Sequence, residues 1–241
     1  ATPILSGLVG SEMCIRDSSY TGNGTSNSTI GHGLGAAPAF IIVKNRSSSS
    51  AHWQVFHHLM ISNDSYNAAG HATKLNETNG WQETDSYWKR VMPTSSVFTV
   101  GSDGDVNSNN DNYIAYCWAE IEGYSKMGKY TGNDNGDGHF IYTGFRPAWI
   151  YIKSEYSSQY GILVDTARSG VNYYHASRAG NDVNEFFRVG NTATKDINTS
   201  TMDIYSNGFR LNSNSAITNS SSYEYIYTAF AELPFKVSKA R

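Results

Sequence analysis

The stretch NYIAYCWAE, at Asn112–Glu120, returns later in the chain as EYIYTAFAE, at Glu224–Glu232. Side chains of a β-strand point alternately to its two faces, so positions 113, 115, 117 and 119 would share one face and positions 114, 116 and 118 the other. Both faces are largely apolar, which is typical of a strand that is covered on both sides. The stretch therefore predicts a central strand of a sheet, present twice in the chain.

Two further stretches repeat in the same order. YTGNG at Tyr20–Gly24 returns as YTGND at Tyr130–Asp134, and APAFIIVKN at Ala37–Asn45 returns as RPAWIYIKS at Arg146–Ser154. The offsets of the three pairs are 110, 109 and 112 residues. An ordered series of matches at nearly one spacing indicates an internal duplication. It predicts two related domains in tandem, at residues 19–127 and 128–241.

The composition favours an all-β fold. Charged residues make up only 16% of the chain and aromatic residues 13%, and Gly, Ser, Asn and Thr separate short runs of Val, Ile, Tyr and Phe. Such runs, bounded by turn-forming residues, are typical of strands joined by short turns. We expect antiparallel sheets packed as a β-sandwich or jelly roll in each domain.

Charge and hydropathy argue against two classes of partner. The formal net charge is -3, and the 18 Lys and Arg residues form no basic run, whereas nucleic-acid-binding domains concentrate basic residues on one face. An apolar run of about 18 residues or more, as a membrane-spanning helix requires, is also missing. We expect no nucleic-acid partner, no membrane span and no structural disulfide, since Cys117 lies in an apolar run typical of a buried thiol.

Four stretches in combination resemble a repeated domain of tail-fibre-like and other virion-associated proteins of bacteriophages, especially from marine metagenomes. They lie at Tyr20–His58, Pro93–Asn107, Asn112–Asn133 and Gly144–Lys153. The resemblance covers nearly all of Tyr20–Phe235. It implies a β-sandwich of the concanavalin-like type in a structural or receptor-binding protein of a phage particle, and it brings no catalytic residues with it.

Two carboxylates would lie on one face of the last strand of the first copy, which we expect to reach Glu122. They are Glu120 and Glu122, and retaining glycosidases use two carboxyl groups about 5 to 5.5 Å apart. However, a third acidic residue is missing shortly after Glu122, and only Glu120 has a counterpart in the second copy, Glu232. The repeated carboxylate favours a structural partner, with Lys44 and Lys153 as candidates, while a jelly-roll hydrolase stays an alternative.

Side chains with oxygen atoms alternate in the loop GSDGDVNSNNDN at Gly101–Asn112. They are Asp103, Asp105, Asn107, Asn109 and Asp111. Calcium takes about six to eight oxygen ligands, so this pattern makes calcium the one candidate cofactor. The glycine and the closing glutamate of an EF-hand loop are missing, and a solvated loop between strands is the alternative that we favour.

Aromatic side chains suggest glycan binding, because the apolar face of a sugar ring packs on an aromatic ring. The candidates outside the expected strand cores are Trp81, Tyr87, Trp88, Tyr156, Tyr173 and Tyr174. The alternative is that these side chains pack beneath long loops.

The residues before the first copy have no counterpart before the second. The second copy begins at Lys129-Tyr130 with nothing like SEMCIRD, which stands at Ser11–Asp17. One back-translation of Leu8–Ser18 spells a sequencing adaptor that ends in the transposon end used to build shotgun libraries. We therefore predict that residues 1–18 are a non-native leader, which would remove Cys14 from the cysteine count.

We expect a non-enzymatic, extracellular component of a phage particle: a fibre, a tail protein or a capsid decoration. As a structural protein it would contact other virion proteins and copies of itself, giving a homo-oligomer. As a host-surface binder it would hold a glycan in the manner of a lectin. The third hypothesis is the glycoside hydrolase that uses Glu120 and Glu122.

Overall fold

The chain divides into two compact units. A computed structural model describes residues 15–61, 67–156, 159–167, 182–190 and 195–233. The first unit comprises Ala1–Leu75 and Trp81–Glu120, and the second comprises Asn76–Gly80 and Ile121–Arg241. Apart from one 3₁₀ turn at Ala68–Gly70, the regular elements of the described ranges are β-strands.

Within the described ranges, eight strands belong to each unit. Those of the first are β1 (Ile15–Thr21), β2 (Ser28–Gly31), β3 (Phe40–Asn45), β4 (Trp53–His57), β5 (His71–Lys74), β6 (Gln82–Glu83), β7 (Val97–Val100) and β8 (Asn112–Trp118). Those of the second are β9 (Ser125–Thr131), β10 (Phe140–Tyr142), β11 (Pro147–Ser154), β12 (Gly161–Asp165), β13 (Asp182–Val189), β14 (Lys195–Tyr205), β15 (Gly208–Leu211) and β16 (Glu224–Ala231). All neighbouring strands pair antiparallel, so the predicted all-β class is confirmed.

The first unit packs a six-stranded sheet against a two-stranded sheet. The six strands lie in the order β1-β8-β3-β4-β5-β6, and β2 pairs with β7. Phe98 of β7 shares one buried cluster with Val43 of β3 and Cys117 of β8, so the core lies between the two sheets. Strand β8 lies between β1 and β3, and its side chains Tyr113, Ala115 and Cys117 are buried in the core. The other face, which was also expected to be covered, is half-buried. Burial raises the pKa of the free Cys117 thiol to about 12, which keeps the thiol protonated.

The second unit folds a single sheet back onto itself. Its strands lie in the order β10-β15-β14-β13-β12-β11-β16-β9. Strands β15 and β16 are five positions apart, which is about 24 Å in a flat sheet with a spacing of about 4.8 Å. The rings of Phe209 in β15 and Tyr227 in β16 nevertheless lie 5.5 Å apart in an edge-to-face contact. The sheet therefore curls over its own core, and strand β16 is central, as predicted.

The strand bounds differ from the predicted domain bounds at two places. Strand β1 begins at Ile15, inside the predicted leader, and Ile15–Asp17 pair with β8 while their side chains are exposed. Strand β9 begins at Ser125 and pairs with β16, and the second unit resumes at Ile121 rather than at residue 128. The adaptor origin of the leader and the tandem duplication stay predictions.

Two stacked tyrosines connect strands β1 and β8 of the first unit. The rings of Tyr20 in β1 and Tyr113 in β8 stack at 5.0 Å with an angle of 13° between their planes. The hydroxyl of Tyr113 accepts a bond from the N–H of Ser108 (2.7 Å) and donates to the carbonyl of Gly104 (2.8 Å). The hydroxyl of Tyr20 donates to the carbonyl of Val106 (2.6 Å). The loop before β8 is thus fixed to both strands.

A buried asparagine completes this cluster. The amide nitrogen of Asn107 donates to the side chain of Asn23 (3.2 Å) and to the carbonyls of Thr25 (2.9 Å) and Gly101 (2.9 Å). Its amide oxygen accepts from the N–H of Asn23 (3.0 Å). One side chain therefore satisfies backbone groups from two loops that are far apart in sequence.

The same set of contacts occurs in the second unit. Tyr130 in β9 stacks on Tyr225 in β16 at 5.0 Å and 10°. The amide nitrogen of Asn219 donates to the side chain of Asn133 and to the carbonyl of Asn135, both at 2.9 Å. Its amide oxygen accepts from the N–H of Asn133 (3.1 Å). We call each set the tyrosine–asparagine cluster of its unit.

Candidate functional site

The two predicted catalytic carboxylates do not lie on a strand. Strand β8 ends at Trp118, and Glu122 lies in the tight turn that leads into β9. The N–H groups of Tyr124 and Ser125 both donate to the carbonyl of Ile121 (3.0 and 2.9 Å), and Gly123 within the turn has φ +76°. The prediction of a strand reaching Glu122 was wrong, because this turn reverses the chain before the two carboxylates can share a pleated face.

The predicted partnership between glutamate and lysine was also wrong. In the antiparallel register Lys44 lies opposite Ile114, six residues before Glu120. The amino group of Lys44 donates to the carbonyl of Ala51 instead. In the second unit Glu232 forms an ion pair with Arg146, with 2.8 Å between Oε2 and Nε.

Lys153, the counterpart of Lys44, is fully buried within the second unit. Its Nζ donates to the carbonyls of Glu77 (2.7 Å) and Gln159 (3.0 Å). Burial disfavours the ammonium ion and lowers the pKa of Lys153 to about 8, with Glu77 opposing the shift.

This burial predicts a pH dependence of stability. Between pH about 8 and the ordinary lysine pKa of 10.5 the unfolded chain binds more protons at this residue than the folded chain. The free energy of unfolding should therefore rise across that window, by at most about 3 kcal/mol, and stay level below it. Urea unfolding at pH 7.5, 8.5 and 9.5 measures this, and the difference between wild type and Lys153→Met isolates the residue from titrating tyrosines. Equal slopes for the two proteins would contradict the expectation.

The predicted calcium ligands hold the loop with bonds to protein donors. The carboxylate of Asp105 accepts from the N–H of His52 (2.8 Å) and the amide of Gln54 (2.7 Å). Asp111 accepts from the amide of Asn45 (2.8 Å). Within the described ranges, no three His, Cys, Asp or Glu side chains come together as metal ligands. Calcium binding stays a prediction.

The other three predicted ligands are Asp103, Asn107 and Asn109, and they differ in partners and exposure. Asp103 accepts from the N–H of Asp105 (2.9 Å), and Asn107 is the buried centre of the first tyrosine–asparagine cluster. Asn109 is exposed. The alternation of Asp and Asn therefore reflects the turn bonds and cluster bonds of this loop.

The predicted tryptophans cannot stack on a sugar. Trp81 and Trp88 are only 6% and 2% exposed. The Trp88 ring packs edge-on against Phe56 (6.0 Å) and Phe98 (6.4 Å) in the first core. Both side chains are therefore buried rather than exposed for stacking. A core aromatic residue outside a strand has the same local sequence signal as an exposed one.

The predicted tyrosines have mixed outcomes. Tyr87 is half-buried, and burial raises its pKa to about 12. Tyr156 is 46% exposed, and its ring stacks on Tyr223 at 4.4 Å and 12°. Tyr173 and Tyr174 lie outside the described residues. Tyr156 is thus the member of the predicted set with a substantial exposed surface among those the structure describes.

A different aromatic surface lies on the outer face of the second unit. Residues directly opposite in neighbouring strands point to the same face of a sheet. Across β10, β15 and β14, one row of paired residues consists of Phe140, Arg210 and Asp203. The next row on the same face consists of Tyr142, Gly208 and Tyr205. We call these five side chains, together with Asp137, the β10 surface.

The rings of the β10 surface are exposed and one of them is held in place. Phe140 and Tyr142 are 46% and 64% exposed, whereas Ile141 between them points into the core. The Phe140 ring meets Tyr205 edge to face at 5.7 Å. It also covers Gly208, where an added Cβ would lie 2.8 Å from the Phe140 ring. The glycine therefore gives the ring room to lie against the sheet.

A charged network borders the rings. Arg210 pairs with Asp137 (Nη1 to Oδ1, 2.7 Å) and with Asp203 (Nη2 to Oδ2, 3.3 Å). The hydroxyl of Tyr205 donates to the same Asp203 oxygen (3.3 Å). Burial, followed by the neighbouring Asp203 carboxylate, raises the pKa of Tyr205, which keeps its hydroxyl protonated. Donors and acceptors are thus fixed beside the exposed rings.

A groove of about 470 Å³ adjoins the β10 surface. Strand β10 forms one wall, with His139 just before it. Strand β9 forms the other wall with Lys129, Tyr130 and Thr131, and Tyr227 of β16 contributes to the lining. Strands β9 and β10 are the two ends of the strand order, so the curling of the sheet creates this groove.

The first unit carries small side chains where the second carries these rings. Strand β7 buries Phe98 in its core as β15 buries Phe209, so the pairs β2–β7 and β10–β15 are comparable. Ile30 of β2 lies opposite Phe98 as Ile141 of β10 lies opposite Phe209. The exposed neighbours of Ile30 are Thr29 and Gly31, which correspond to Phe140 and Tyr142 beside Ile141. Folding of such a strand pair therefore does not require aromatic side chains at these positions.

Phe140, Tyr142 and Tyr205 are absent from the binding residues predicted from the sequence. The run HFIY at His139–Tyr142 is too short to reveal which side chains face solvent. Exposure follows from the edge position of β10, which depends on pairing with β15. The available signal was the difference between the repeats, because STIG at Ser28–Gly31 has no aromatic residue.

Comparison with known proteins gives one match. Residues 15–234 match a family model described as a domain of unknown function, DUF7483. Neither the curated proteins nor the solved structures contain a match. In the described part of the chain, no helix is long and apolar enough to cross a membrane.

Proposed function

The chain belongs to the DUF7483 family, a domain of unknown function, and we propose that it is a non-enzymatic component of a bacteriophage particle that attaches to the host cell surface. The sequence resemblance to virion-associated proteins supports the proposal that the chain is part of a phage particle. A fibre, a tail protein or a capsid decoration would in addition contact other virion proteins and copies of itself. The proposed place of action is the virion, outside the cell.

The β10 surface carries the attachment part of this proposal. Its exposed rings, Phe140 and Tyr142, lie on an edge strand next to a fixed charged network. The comparable positions of the first unit, Thr29 and Gly31, have no rings, so folding does not account for them. An aromatic surface that the fold does not need is best explained by binding.

The proposal also treats the two units as copies of one domain that have diverged at this surface. The two tyrosine–asparagine clusters support the common origin, since stacked tyrosines and a buried asparagine recur with the same bonds. In this view the first unit keeps the fold, and the second has acquired the binding surface.

The test is binding of the labelled chain to fixed cells of a panel of marine bacteria, measured by flow cytometry. We expect saturable binding to at least one isolate and a loss of at least about tenfold in the double variant Phe140→Ala/Tyr142→Ala. The matched control is Leu233→Ala, which removes an exposed apolar side chain of the second unit outside the β10 surface and should bind normally. Equal binding by the double variant, or binding to no isolate, would contradict attachment through the β10 surface.

A further inference from the structure

We propose that the β10 surface binds an extended neutral glycan, a chain of at least two pyranose units without acidic groups. This inference rests on the proposed attachment function and names the class of ligand. It is carried by the spacing of the rings, by the charge of the network and by the shape of the groove.

The spacing of the rings sets the minimum length. Phe140 and Tyr142 are two residues apart on one strand, so their backbones are about 6.6 to 6.8 Å apart. This distance exceeds the width of one pyranose ring. Each aromatic ring can therefore pack against the C–H face of a separate sugar unit. The contact of Phe140 with Tyr205 fixes one of the two rings before binding, which lowers the entropic cost of stacking.

The network beside the rings disfavours anionic sugars. The single positive charge of Arg210 is already paired with two carboxylates, Asp137 and Asp203. An anionic sugar would therefore have to compete with two carboxylates for the guanidinium, which disfavours a carboxylate or sulfate group. Sugar hydroxyls both donate and accept, so they can bond to the exposed carboxylate of Asp137. The Asp137 side chain is 71% exposed and offers such oxygens to a ligand.

The position of the network fits hydroxyls at the edge of a stacked sugar. Arg210 is the direct cross-strand neighbour of Phe140, and such neighbours have Cβ atoms about 4.5 to 5.5 Å apart. A pyranose over the Phe140 ring would thus place equatorial hydroxyls near Arg210 and Asp137. Apolar stacking with polar contacts at the ring edge is selective for a sugar over a purely apolar ligand.

The groove provides room for a longer chain. Its lining includes Phe140 and Tyr142 on one side and Lys129 and Thr131 on the other. Lys129 pairs with Glu224 at 2.7 Å, so this side also offers a charge pair rather than a site for an anion.

Isothermal titration of the whole chain with defined oligosaccharides tests the inference. The neutral probes are hexaoses of cellulose, laminarin, amylose and chitin, and the acidic probe is hexagalacturonate. We expect binding of at least one neutral probe, with at least tenfold weaker binding in Phe140→Ala and in Tyr142→Ala. Phe140→Trp, which keeps a ring, should restore binding, and Leu233→Ala, which removes an exposed apolar side chain outside the β10 surface, should leave it unchanged. Equal unfolding midpoints confirm that the variants are folded.

Three outcomes would overturn the inference: preferential binding of hexagalacturonate, neutral binding that both alanine variants retain, or no binding of any neutral probe. The attachment function is separable from this result. If cells bind through Phe140 and Tyr142 while the neutral probes do not bind, the ligand class is wrong and attachment stands. If a neutral probe binds through these rings while no cell binds, the ligand class stands and attachment fails.

Discussion

Replacing Asn219 by alanine is expected to destabilise the second unit by about 2 to 4 kcal/mol. The side chain is fully buried and makes three hydrogen bonds, two to Asn133 and one to the carbonyl of Asn135. Alanine removes all three bonds, and a typical intramolecular hydrogen bond contributes about 0.5 to 1.5 kcal/mol. Since a domain has a total stability of about 5 to 15 kcal/mol, the loss is a large fraction of it.

Hydrogen exchange followed by mass spectrometry measures this loss unit by unit. Protection should fall in β9 and β16, which the cluster joins, and change little in β3 and β8. Asn107→Ala should lower protection in β3 and β8 and change it little in β9 and β16, because Asn107 makes the equivalent bonds in the first unit. Asn135→Ala is the matched control, since the exposed Asn135 side chain accepts only a local bond from the N–H of Asp137. Similar losses of protection in Asn135→Ala and Asn219→Ala would contradict the role of the buried amide.

Replacing Gly132 by alanine is expected to destabilise the second unit by about 3 kcal/mol. A Cβ atom there would lie 2.1 Å from the carbonyl oxygen of Ser220, a backbone atom that cannot move aside cheaply. Gly22 has the same constraint against Ser108, also at 2.1 Å, so Gly22→Ala should affect the first unit equally. Chemical denaturation of each variant measures the loss.

Gly136→Ala provides the control for this pair. Gly136 lies in the same loop as Gly132, and nothing lies within 4 Å of an added Cβ. Alanine there should change the free energy of unfolding by less than about 1 kcal/mol, and a small gain is expected because alanine restricts the unfolded chain. If Gly132→Ala were as stable as Gly136→Ala, the close approach of the two loops would be refuted.

Strand identity and centrality were predictable because they depend on local alternation. Tyr113, Ala115 and Cys117 are spaced by two residues, and this spacing placed them on one face, which is the core face in the structure. The prediction failed where one residue changed the local path, as Gly123 did by turning the chain next to Glu122. Alternation is a property of a run of residues, whereas a turn depends on a single backbone conformation.

The β10 surface was less predictable because it depends on contacts that are distant in sequence. Phe140 is exposed because it lies on the outer face of β10, opposite Ile141 of the core, and its ring contacts Tyr205, 65 residues further along the chain. Trp88 resembles such a residue in composition and local context, yet it fills the first core. Pairing between distant strands decides both cases.

The pairing of the first and last strands of each unit has a consequence for synthesis on the ribosome. Tyr130 in β9 meets Tyr225 in β16, and Tyr20 in β1 meets Tyr113 in β8, so neither ring stack can form before the final strand has been translated. Contacts of such long sequence separation fold slowly. Strand β9 must therefore wait with its edge unpaired while some 90 residues are added, a period in which a chaperone or a folded neighbour would protect it from aggregation. Since β8 precedes β9 in the chain, the strands of the first unit are complete before those of the second begin to emerge.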